Sequence, residues 1–138
     1  MQRAFLKGRR PRARQSGFAV VELAICLPLM VMLTFGAIEA SNAIYLKQTL
    51  VTAAYEAARM ATALGATQQD GEARYSEIVS AVGVQGTTIT FTPQITAITP
   101  AGTAIRVTVT APADSNSFSI RRFMKGTTLR ASVTMPRL

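Results

Sequence analysis

The stretch FAVVELAICLPLMVMLTFGAI, from Phe18 to Ile38, is 21 residues long and holds a single charge, Glu22. A helix rising about 1.5 Å per residue covers about 32 Å over that length, close to the ~30 Å hydrocarbon core of a bilayer. A secretory signal has a shorter apolar region, about 7–15 residues, so the run reads as a transmembrane helix over 18–38. Arg3, Lys7, Arg9, Arg10, Arg12 and Arg14 precede it without an intervening acid, and the next basic residue is Lys47. That asymmetry predicts a basic cytoplasmic leader over 1–17 and an extracytoplasmic C-terminal part, on a single-pass chain in an inner (cytoplasmic) membrane. Pro28 and Gly36 fall inside the run, where membrane helices tolerate them.

The helical pattern continues past the run. Residues 39–64 contain neither Pro nor Gly and are rich in Ala, and Gly65 is a stop signal, so the extension is assigned to 39–65. The two stretches together predict one helix of roughly 45 residues. In the extension Ile44, Leu50, Val51, Ala54, Ala57, Ala58 and Met60 do not form one clean stripe. A long helix without its own stripe leans on other chains or on a domain.

Residues 66–138 read as a small extracytoplasmic α+β domain. A polar break at 67–71 precedes a helix expected over about 72–82, where Tyr75, Ile78, Val79 and Val82 follow the 3.6-residue period. The period then changes to two: Ile89 and Phe91, then Ile105, Val107 and Val109, then Leu129, Ala131, Val133 and Met135 alternate with polar residues. Such alternation marks antiparallel strands with one wet face. Thr99 to Thr103 reads as a turn and Pro112 to Gly126 as a long loop. A sheet this small buries little by itself, so it is expected to pack on the helix extension. The predicted fold class is α+β, a long N-terminal membrane helix packed beyond the membrane on a small antiparallel sheet.

Composition narrows the function. The chain has 15 Lys+Arg against 7 Asp+Glu, with no His, no Trp and one Cys, Cys26. That removes His-based acid–base chemistry, most zinc sites and any internal disulfide. The sequence has no Gly-rich phosphate loop, metal-ligand spacing or nucleophile motif. No catalytic residue, cofactor, metal or small-molecule substrate is expected. The basic leader abuts a membrane run, so it reads as a topology signal in contact with anionic lipid and not as a nucleic-acid arm.

At the membrane edge the sequence is Gln15-Ser16-Gly17-Phe18-Ala19-Val20-Val21-Glu22-Leu23. A basic leader ending in Gly17, an aliphatic run, and a carboxylate five residues past the glycine resemble the prepilin peptidase site of type IV pilin-like proteins. The wider stretch, with Gly17, Val21, Glu22, Pro28, Gly36, Glu39, Tyr45, Gln48 and the block Ala53 to Arg59, resembles the TadE-like family of tight adherence (Tad) pilus assembly proteins. Leu23 stands where an aromatic often follows the Glu. The resemblance implies cleavage between Gly17 and Phe18 and a structural role in a bacterial Tad-type pilus or secretion system. It also implies other pilus subunits and a prepilin peptidase as partners.

The physical reading of Glu22 stands beside that resemblance. A carboxylate at mid-bilayer costs roughly 2.5–3.5 kcal/mol, less near the interface. Glu22 lies about 6 Å along the helix from Phe18. Resemblance to pilins implies pairing of Glu22 with the new Phe18 amine of a neighbouring subunit; the alternative is an interfacial carboxylate reaching headgroups or water. Glu39, at the outer end of the span, is read as solvated. Cys26 is read as an apolar filler, and Arg121, Arg122, Lys125 and Arg130 as a solvated basic face. Ala54, Ala57, Ala58 and Ala61 keep one region of the helix slim, which permits close helix approach or simply reflects helix propensity. A second reading is a secreted binding domain released by cleavage after Ser41-Asn42-Ala43.

Overall fold

The computed structural model describes residues 15–116 and 125–138. The basic residues at positions 3–14, with Arg121 and Arg122, lie outside the described residues. In order, the elements are helix α1 (Gln15–Thr62), helix α2 (Gln68–Val82), strand β1 (Thr88–Thr92), strand β2 (Ala104–Pro112), a 3-10 turn (Asp114–Asn116) and strand β3 (Thr128–Pro136). The chain divides after Phe35 into two units, and α1 runs through both. The expected long helix is one 48-residue element containing Pro28.

The second unit is built on a three-stranded antiparallel sheet in the order β1-β2-β3. Its register lines up the alternating apolar residues: Ile89 pairs with Val109 and Val109 with Ala131, while Phe91 pairs with Val107 and Val107 with Val133. A period of two sends all of these to one face. On β2 the result is complete, with Ile105, Val107, Val109 and Ala111 all inaccessible. Thr90, Thr108 and Ser132 pair across the opposite face.

One side of α1 completes this core. Leu46, Leu50, Ala53, Ala57 and Ala61 are buried, spaced three to four residues apart, and join the sheet residues, Tyr75 and Val79 in one cluster. Lys47 Nζ donates to the Arg130 carbonyl of β3, tying the helix to the sheet. At the far end of the helix the Leu138 amide donates to the Thr62 carbonyl at 2.9 Å.

Helix α2 begins at Gln68, within the stretch expected to be a polar break. The reason is local. Thr67 is the N-cap, and Asp70 Oδ2 accepts from the Thr67 amide at 2.7 Å and from its hydroxyl at 2.8 Å. These bonds satisfy groups at the start of a helix that otherwise lack partners. They hold the Asp70 carboxyl below its ordinary range, the backbone amide being the larger cause. Gly71, the next residue, is buried against α1. The helix ends at Gly83, whose φ of 76° is open to glycine at little cost, with the Val84 amide bonded to the Val79 carbonyl at 3.1 Å.

The region expected to be a loop from Pro112 is partly ordered by side chains. Asn116 Oδ1 accepts from the Gln85 amide at 2.7 Å, and its Nδ2 donates to the carbonyls of Gln85 (2.9 Å) and Pro112 (2.8 Å). The Asp114 carboxylate accepts from the Gly126 amide at 2.9 and 3.0 Å.

Candidate functional site

In the first unit the apolar side chains of α1 point outward along its whole length. Phe18 is 75% exposed, Ile25 71% and Leu33 66%. Apolar exposure on this scale is foreign to a helix in water and proper to one in lipid. Among the described residues, one helix, Gly17–Thr62, is long and apolar enough to cross a membrane.

Gly17 and Phe18 lie in the first turn of this helix, and a Cβ at Gly17 would meet nothing within 4 Å. Glu22 is exposed, one helical turn beyond Phe18. It makes no hydrogen bond or ion pair with any described residue. Cys26 is exposed within the same run. Among the described residues, no group of three or more His, Cys, Asp or Glu side chains is placed to hold a metal ion.

The second unit treats its part of α1 differently. Ala54, Ala57, Ala58 and Ala61 are inaccessible and belong to the core of this chain. Their small size admits Gly71 of α2, for which a Cβ would stand 2.7 Å from the Ala57 carbonyl oxygen and from Ala61 Cβ. The close approach they allow is made within the chain, to α2 and the sheet. Glu56 links the two helices at the surface, 3.9 Å from Arg74 and 4.0 Å from Arg59. Arg74 also donates to Glu77 at 2.7 Å, which raises its already high pKa.

Glu39 corrects the reading of a solvated position: it is only 4% exposed. It stands seven residues before Leu46, which places both on the face of α1 that the domain covers. It is not without a partner. Tyr45 and Gln48 are exposed, and so are Lys125 and Arg130. The signals missed in the sequence were the Thr67-x-x-Asp70 cap and the seven-residue step from Glu39 to Leu46.

No curated protein and no solved structure matches the chain. A family model does: the one described as TadE-like protein matches residues 17–59. The match opens at the glycine before the apolar run and closes at Arg59, so it takes in the outward-facing helix, the buried Glu39 and the core alanines Ala53, Ala54, Ala57 and Ala58. Over that segment the chain is similar to the TadE-like family.

Proposed function

We propose that the chain is a membrane-anchored TadE-like pseudopilin or minor pilin, a structural and assembly component of a Tad-type pilus or secretion system. The observation that carries this reading is the overlap of two findings. The TadE-like match covers the helix whose apolar side chains are exposed from Phe18 onward. In this reading α1 anchors the chain in the inner membrane with the second unit outside. A prepilin peptidase removes the leader after Gly17, and Glu22 pairs with the Phe18 amine of a neighbouring subunit. A new α-amino group has a reference pKa of about 7.7–8.0, so a good part of it is cationic at neutral pH. An ion pair near the bilayer edge offsets the cost of holding the carboxylate there. The chain works by packing and pairing, and no bond chemistry is assigned to it.

Intact mass and N-terminal sequencing of the membrane-extracted protein, expressed with its peptidase, test this. The expected product begins at Phe18. An unprocessed chain overturns the pseudopilin assignment and leaves a single-pass anchor. A start at Ile44, together with release by carbonate, overturns the membrane reading itself.

A further inference from the structure

The face of α1 that the domain leaves uncovered carries a pattern of its own. Ala37, Ser41, Ile44, Gln48, Val51 and Tyr55 alternate steps of four and three residues, and all six are exposed. Ile44 is 60% exposed, Val51 44% and Tyr55 48%. A 3.5-residue hydrophobic repeat is the seam of a coiled coil, and here one of its two sets of positions is apolar. One set of seam positions holds Ala37, Ile44 and Val51, all apolar. The other holds Ser41, Gln48 and Tyr55, all able to hydrogen-bond. None of these side chains belongs to the core of the second unit.

We infer that this seam pairs with the same seam on a second copy of the chain, parallel and in register. The inference rests on the membrane-anchored reading above and deepens it by naming the partner and the surface. Three observations select a second copy. The seam lies on the helix that also forms the candidate span, at a fixed number of residues from it. Two copies inserted the same way therefore meet with identical residues level. Self-pairing sets Gln48 against Gln48, and a primary amide both donates and accepts, so the one strongly polar seam residue is satisfied by its own copy. The exposed flanking positions of a parallel pair are Ala40 with Tyr45 and Lys47 with Thr52, and neither sets like charges together.

The seam is short, about 27 Å from Ala37 to Tyr55 at 1.5 Å per residue. It presents few large side chains, less than an independent soluble dimer requires. Confinement to a membrane supplies the missing effective concentration. Association is accordingly expected in the membrane and not for the chain diluted into detergent.

The test is oxidative cross-linking of the full chain in carbonate-washed membranes. A Cys26→Ser background carries one added cysteine, at Ile44→Cys, Gln48→Cys, Val51→Cys or, off the seam on α2, Glu77→Cys. Disulfide dimers are expected at the three seam positions and not at Glu77, whose side chain is 68% exposed. Adding Val51→Glu to Gln48→Cys should abolish the dimer while leaving the thermal melt in place, because Val51 lies outside the core. Equal cross-linking at all four positions, or none at the seam, overturns the seam. A mixed disulfide from Gln48→Cys to a different protein overturns the second copy as occupant. Loss of the chain to the carbonate supernatant overturns the membrane-anchored reading and the in-register argument together, an outcome distinct from retention without seam dimers.

Discussion

Gly71 of α2 meets Ala57 of α1 so closely that a methyl group on the glycine would stand 2.7 Å from the Ala57 carbonyl oxygen. Backbone cannot swing aside as a side-chain tip does. Gly71→Ala is expected to destabilise the second unit by about 1–3 kcal/mol, the range for overpacking, although alanine is the better helix former. Thermal melting followed by circular dichroism checks this. A melting temperature at or above that of the unaltered chain would show that the two helices separate easily.

The two faces of α1 should respond oppositely to truncation. Leu50 is fully buried and Ile44 is 60% exposed. Leu50→Ala should cost about 2–5 kcal/mol, from lost burial and a cavity. Ile44→Ala, on the open side, should change stability by no more than about 0.5 kcal/mol. Urea unfolding of both variants, followed by tyrosine fluorescence, makes the comparison. Similar midpoints would contradict the burial described above.

The cap of α2 ties stability to acid. Asp70 has a depressed pKa in the folded chain because the Thr67 amide, and then its hydroxyl, donate to the ionised carboxylate. A depressed folded pKa means stability present above the unfolded value, about 3.9, and lost as pH falls through the folded value. Asp70→Asn should melt below the unaltered chain at pH 7, and the gap should close in strong acid. A gap independent of pH would mean that the carboxylate's charge contributes nothing.

Glu22 separates folding from assembly. It makes no hydrogen bond or ion pair with any described residue and lies outside the core, so Glu22→Gln should leave the melt of the second unit unchanged. Under the proposed function the same substitution should sharply lower incorporation of the chain into sheared, sedimented fibres while its membrane level stays constant. Normal incorporation would remove Glu22 from the assembly mechanism and leave it an interfacial carboxylate.

The elements of the second unit were largely legible because each is written in a few adjacent residues. The alternation Ile105, Val107, Val109 marks β2 and points to its buried face, and the apolar run from Phe18 marks the exposed helix in the same way. The start of α2 was legible too, in Thr67 and Asp70, but it is carried by two side-chain bonds and not by hydrophobic period. As for the candidate site, the sequence shows Glu22 as the one charge in an apolar run and Gly17 before it. Neither fact depends on the rest of the fold.

What the sequence by itself determined is therefore local: where the chain is helix, where it is strand, and where a membrane is the natural solvent. Only the tertiary structure decided which side of α1 is core. By hydrophobicity alone Ile44, Val51 and Tyr55 compete for that place with Leu50 and the alanines, and those three remain outside. The reason is distance of approach. Gly71 closes onto α1 where its side chains are small, at Ala57 and Ala61, and Leu46 and Leu50 fill the core beside them. The residues packed there lie from 14 to more than 70 positions away from Ala57. Glu39 is buried as well, on the side of the helix it shares with Leu46.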